Sequence, residues 1–213
     1  MGVTALSPKV AIDEETHIYK RLVDGVVVPS CTQVISFANP SSASRFYTVD
    51  GREVGKDAHL GCRYYDEGCL DWSSLETPSG ADERVARLKA KVRGRIQSYI
   101  RFREDTGFEP DLIEFVTYSE ELDVAGTIDR TGRFPGQPEQ WLIDLKGGAE
   151  LETHGWQTAG YTLMEFPKDP YGIMRGALYL KDNGSRAQLR IHKNIEDFAE
   201  FVDAAKKFHR ENK

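Results

Sequence analysis

Two aspartates stand fifteen positions apart in runs that read as strands: Asp129 in "AGTIDR" and Asp144 in "LIDLK". Carboxylates on neighbouring strands can converge on a divalent cation, which prefers hard oxygen ligands. Lys146 follows Asp144 by two positions, and residues two apart in a strand share a face. An ammonium beside two carboxylates suits chemistry on a phosphate. It can orient or help activate an attacking water, or stabilise the negative charge that develops. The same triplet also describes an ion pair on an exposed sheet face, and these three residues alone do not separate the two readings.

Further residue types fall at useful spacings. "GKDAH" puts a small residue, Gly55, and His59 four apart and so on one helix face, where the imidazole can ligate a metal or serve as an ordinary surface or core histidine. "QTAGY" sets Gln157 and Tyr161 on one helix face just after the lysine strand. Either can contact phosphate, hold the lysine in place, or fill a helix–sheet interface. Glu114, in "DLIEFVTY", is a further acid near the metal or an exposed strand position.

The elements that must position these residues are legible in outline. "HIYKRLVDGVVVPSCTQVISFA" reads as a hairpin turning at Asp24-Gly25, then a short helix capped by Ser30 or Thr32. Asn39 to Ser44 has loop or cap chemistry, and helix is expected over much of Arg45 to Asp71. A polar loop, "SSLETPSGADE", leads to a long helix whose apolar residues recur at Val85, Leu88, Val92, Ile96, Tyr99 and Ile100. Three strands follow: "DLIEFVTYS", "DVAGTIDRTG" and "QWLIDLKG", the last two joined through "RFPGQPEQ". A helix over "HGWQTAGYTLMEF", a hairpin turning at Asn183-Gly184 and an amphipathic helix from Ile195 to Phe208 complete the chain. The pattern is that of an α/β (α+β) single domain.

Composition bounds the function. The 213 residues carry a net charge of −6, yet Arg84 to Arg103 holds eight lysines and arginines and no acid, leaving −14 for the rest. A basic surface beside an acidic one suits a metal-dependent enzyme acting on a polyanion, and a basic helix face can also be plain solvated surface. No apolar run is long enough to span a bilayer. The N-terminus lacks the pattern of a signal peptide or a myristoylation signal, so a cytoplasmic location and no membrane partner are expected. Cys31, Cys62 and Cys69 form no metal-binding spacing and are expected as reduced thiols.

Taken in order, "GKDAH", "AGTID", "IDLKGG" and "QTAGY" resemble the PD-(D/E)XK nuclease superfamily, most of all its RecB-type branch and small phage or mitochondrial exonucleases of that kind. These motifs run from Gly55 to Tyr161, about half the chain, and "DGVVVPSCTQVIS" looks like the opening of the phage-type proteins. The resemblance implies one domain with a restriction-endonuclease-like central mixed sheet flanked by helices. Its parts would be an N-terminal hairpin and helix (1–50), a helical part (51–106), a catalytic core (111–180) and a C-terminal hairpin strand and helix (181–213). It further implies one or two Mg²⁺ or Mn²⁺ ions held by His59, Asp129, Asp144 and the Leu145 carbonyl. Lys146 would be the catalytic lysine, with Gln157 and Tyr161 in support and Glu114 as an added acid. Members with an iron–sulfur cluster use four cysteines, so no cluster is expected here.

The implied activity is hydrolysis of DNA, single- or double-stranded, most directly as an exonuclease in recombination, repair or replication. A phage or host recombination protein or a single-strand-binding protein would be a fitting partner. Arg84, Arg87, Lys91 and Arg95 on the basic helix, with Tyr161, would contact the nucleic acid. Tyr64, Tyr65 and Trp72 would stack on bases or pack in the core, and Trp156 carries the same two readings. Two other functions fit the residues less fully: a binding module of this fold without catalysis, and a metal hydrolase of small phosphoesters.

Overall fold

The computed structural model describes residues 9–13, 16–40 and 48–212. The expected loop of Asn39 to Ser44, the start of the helical stretch at Arg45 and most of the N-terminus used in the leader reading lie partly or wholly outside those residues.

The chain begins with a small antiparallel sheet, β1 (Val10–Asp13), β2 (Ile18–Arg21) and β3 (Val27–Val28). Gly25, at φ +70°, turns the β2–β3 hairpin where Asp24-Gly25 predicts it, and β1 adds a strand that the sequence pattern does not announce. Ser30 then caps α1 (Cys31–Ala38) through a reciprocal capping box with Gln33. Thr48 caps α2 (Val49–Asp66), and Asp82 caps the long α3 (Glu83–Thr106). Gly107, at φ +65°, ends α3 in the left-handed conformation that glycine adopts without steric cost.

A five-stranded mixed sheet follows in spatial order β4 (Glu109–Ser119), β5 (Val124–Arg133), β6 (Trp141–Lys146), β7 (Met174–Tyr179) and β8 (Gln188–Ile191). Only β6 and β7 run parallel, because α4 (Thr153–Glu165) carries the chain back between them. The chain's last helix is α5 (Glu196–Glu211). The class is therefore mixed α+β in one compact domain, as the pattern of elements predicts, with a central mixed sheet that has helices on both faces.

Alternation along β6 assigns the two faces. Trp141, Ile143 and Leu145 pack with Val54 and Cys62 of α2 and with Ile96, Tyr99 and Phe102 of α3. Leu142, of opposite parity, packs with α1, α4 and α5. Strand β5 obeys this division only in halves. Ile128 belongs to the α1/α4/α5 cluster and Gly126 faces Tyr161 of α4, whereas Arg130 reaches Asp66 of α2 and Gly132 faces Phe108 beside α3. Residues of one parity thus change faces at Asp129. The partner strand is irregular at the same level. Its register shifts further along, between Pro110 and Leu112, whereas Ile113 pairs with Arg130 and Phe115 with Ile128 in one register, but Glu114 between them sits at φ +48°. A non-glycine residue in that region carries backbone strain of about 1–3 kcal/mol, of a kind that accumulates at functional sites.

No helix among the described residues is long and apolar enough to cross a membrane.

Candidate metal centre

The site forms where the sheet is interrupted. Pairing of β5 with β6 stops at Arg130 and Ile143. Beyond that point the Asp129 side chain replaces a backbone acceptor, its Oδ2 taking the Leu145 N–H at 2.6 Å. Asp129 Oδ1 lies 3.3 Å from His59 Nδ1 of α2. The other ring nitrogen, Nε2, lies 3.1 Å from the Leu145 carbonyl oxygen. The imidazole therefore spans a carboxylate and a carbonyl, both acceptors, and this favours a ring protonated at both nitrogens. Burial opposes that charge, but Asp129, Glu114 and Asp144 outweigh it and raise the His59 pKa to about 9.

Ligand atoms of His59, Glu114 and Asp129 lie within 4.8 Å of one another. Burial pushes the Glu114 carboxyl up, and the Asp129 charge pushes it further. Burial pushes Asp129 up as well, but His59, Lys146 and the Leu145 amide outweigh it and hold that group below the usual carboxylate range. Arg130, missed by the motif reading, donates to Glu114 Oε1 at 3.0 Å. Its signal in the sequence is an arginine directly after Asp129, in the middle of a strand whose neighbouring positions are buried.

The second half of the site lies on the α4 face. Lys146 Nζ is 2.6 Å from Asp144 Oδ2 and donates to Gln157 Oε1 at 2.9 Å. Gln157 Nε2 donates to Asp144 Oδ1 at 3.3 Å and to the Tyr161 hydroxyl at 3.0 Å. The DxK triplet is thus a buried constellation, not an ion pair on open sheet surface: Asp144 is 2% exposed. Burial and the nearby Asp129 charge raise the Asp144 carboxyl although Lys146 pulls it down.

The predicted ligand set is therefore divided. His59, Asp129 and the Leu145 carbonyl meet, with Glu114 joining them, while Asp144 is turned towards Lys146 and Gln157. The donors suit a divalent cation: carboxylate and carbonyl oxygens are the ligands that Mg²⁺ and Mn²⁺ favour, and the imidazole adds a nitrogen donor of the kind that transition metals take. Asp144 Oδ2 is already engaged by the Lys146 ammonium at 2.6 Å.

The residues expected to contact nucleic acid separate by exposure. Arg84 pairs with Asp50 at 2.5 Å, Arg87 lies 3.9 Å from the same carboxylate, and Lys91 lies 3.2 Å from Asp182; all three stay at the surface. Arg95 does not. It is buried, donating to Asp182 at 2.7 Å and to the Gly147 carbonyl at 2.8 Å. Its position explains this, because residue 95 falls on the same helical stripe as Val92, Ile96 and Tyr99. Gly147 leaves room for the guanidinium, since a Cβ there would collide with it.

Tyr161 is also buried, its hydroxyl taken by Gln157, so it faces the interior and not a ligand. Tyr65 and Trp72 pack against the α2/α3 cluster, Arg93 lying over the Trp72 ring, and Trp156 packs against the α1/α4/α5 cluster. Tyr64 alone of these aromatics is exposed. Among the cysteines, Cys31 and Cys62 are buried and Cys69 is exposed.

No family model matches the chain, and no curated protein matches it. Among solved structures it is similar to SSO0001, known from a crystal structure, at 13% identity over 83% of this chain and 84% of that one, with a TM-score of 0.37. So slight a likeness carries no argument about either fold or function.

Proposed function

We propose that the protein is a divalent-metal-dependent nuclease that hydrolyses DNA phosphodiester bonds, acting as an exonuclease in recombination, repair or replication. One observation carries this reading: His59, Glu114 and Asp129 converge beside a buried Asp144–Lys146–Gln157 constellation.

A phosphodiester resists hydrolysis because its charge repels an incoming hydroxide. A Mg²⁺ or Mn²⁺ ion held by His59, Glu114, Asp129 and the Leu145 carbonyl would offset that charge and make a bound water more acidic. It would take the place of a proton on His59, and Asp144 would join the ligands by turning from Gln157 and Lys146. The chain's own residues supply the rest. Gln157, anchored by Tyr161, holds the Lys146 ammonium at a fixed place beside Asp144. From there Lys146 can orient a water or donate to a phosphate oxygen as its charge grows. Arg84, Arg87 and Lys91 give the surface of α3 the means to hold a phosphate backbone irrespective of sequence.

The test uses end-labelled linear strands, single and double, beside closed circles, with Mg²⁺ or Mn²⁺. Linear DNA is expected to shorten while circles persist, and Asp129→Ala and Lys146→Ala are each expected to abolish cleavage while remaining folded. Cleavage by both variants at the wild-type rate would overturn the reading, as would a wild-type protein inert with either metal.

A further inference from the structure

Arg130 is among the largest fully buried side chains of the described residues, and it follows Asp129 directly. Its Nε donates to Asp66 Oδ2 at 2.6 Å. Its Nη1 donates to Glu114 Oε1 at 3.0 Å and to the Asp129 backbone carbonyl at 2.5 Å. Asp66, whose side chain is also fully buried, accepts from the Tyr99 hydroxyl at 2.8 Å and from the Arg103 guanidinium. Nη2 is buried with no hydrogen-bond partner among the described residues.

As a device for stability this is a poor choice. Desolvating such ions consumes most of what their attraction returns, and well-packed apolar side chains often serve as well. What an apolar side chain cannot do is hold two particular atoms. Arg130 bridges the Glu114 carboxylate and the Asp129 backbone at the level where both strands depart from regular pairing. Its planar fork suits that task, which an ammonium would not perform.

We propose that Arg130, oriented by Asp66, is a positioning residue of the cation site: it aims Glu114 and fixes the Asp129 backbone so that both carboxylates converge with His59. This rests on the reading of His59, Glu114 and Asp129 as a divalent-cation site. Charge alone argues the other way. A guanidinium beside a cation repels it, so a merely electrostatic neighbour would weaken binding, and its removal would tighten binding. A merely structural residue would move stability and leave the affinity of the folded protein unchanged.

The experiment is calorimetric titration of the metal-free, full-length protein with Mn²⁺, each variant first shown to be folded by circular dichroism. Arg130→Met is expected to weaken Mn²⁺ binding by about 10- to 100-fold, the usual consequence of losing a residue that orients ligands. Arg130→Lys should restore the charge but not the affinity, and Asp66→Asn should weaken binding in the same direction. In a Glu114→Gln background, Arg130→Met should cost less than in the wild type, because one of the two ligands that Arg130 positions is already altered. A folded Arg130→Met with unchanged or tighter Mn²⁺ binding overturns the proposal. If Arg130→Met does not fold, Asp66→Asn decides, and unchanged affinity there overturns it equally. A wild-type protein that fails to bind Mn²⁺ overturns the cation site and this proposal together. Wild-type binding with unaltered variants overturns only the role of Arg130.

Discussion

Gln157 ties Lys146 to Asp144: its amide oxygen accepts from the ammonium at 2.9 Å while its amide nitrogen donates to the carboxylate at 3.3 Å. Without it the lysine retains an ion partner but loses the hydrogen bond that fixes its direction. Gln157→Ala is therefore expected to leave Mn²⁺ affinity near wild type and to lower the DNA cleavage rate by roughly 10- to 100-fold, the scale on which small misplacements act. Single-turnover kinetics beside a Mn²⁺ titration check this.

The buried and exposed arginines of α3 should behave oppositely. Arg95→Ala leaves the Gly147 carbonyl without its donor and Asp182 with Lys91 alone, and a loss of about 1–3 kcal/mol is expected in urea unfolding. Arg87→Ala with Lys91→Ala lies at the surface and should barely alter unfolding. It should weaken DNA binding and reduce the slope of log affinity against log salt by about 1–2.

Gly94→Ala probes the contact that holds α3 against the turn before β8. A Cβ at this position would collide with the Asp182 carbonyl and stand 3.2 Å from the Gly184 nitrogen, both of them backbone atoms. Backbone yields less readily than a flexible side chain, so destabilisation of about 1–3 kcal/mol is expected, measured by chemical denaturation.

Two histidines on the α4 side should set an acid limit to stability. Burial, helped by the Lys146 charge, lowers the His154 pKa to about 3, and its Nδ1 accepts the Tyr179 hydroxyl at 2.7 Å. Burial, with Arg175 and Lys146, lowers His192 to about 4. In the unfolded chain both would take up protons as pH falls through about 6.5, whereas the folded protein resists them until much lower pH. Their contribution is thus fully present above pH 6.5 and is lost as pH falls towards 4. Melting temperatures between pH 7 and pH 4.5 should decline, and His154→Gln should flatten the decline relative to wild type. Parallel curves for the two proteins would refute it.

Most elements and half of the site could be read from sequence because they depend on local pattern. Ser30, the Asp24-Gly25 turn and the apolar stripe of α3 act within a few residues, and each lies where its chemistry predicts. The Asp144–Lys146–Gln157 constellation follows from strand parity and helix spacing. What escaped depends on where the sheet loses its regularity. Alternation in β5 reverses at Asp129, so the pattern that places Lys146 correctly says nothing of where Arg130 points. Arg95 is buried despite its charge because burial follows the helical stripe it shares with Val92, Ile96 and Tyr99, which a count of charges along the helix does not register.

The two halves of the site differ in how much chain they must close. Lys146 and Gln157 are 11 residues apart, joined within a single strand–loop–helix unit. His59 reaches the Leu145 carbonyl across 86 residues, through the docking of α2. Contacts of short separation cost little loop entropy and form early, whereas distant ones wait for the chain to close around them. The ammonium side of the site is therefore expected to assemble before the imidazole side. Local opening of α2 would withdraw one ligand while leaving the lysine in place, so the complete donor set exists only once the longest of these closures is made.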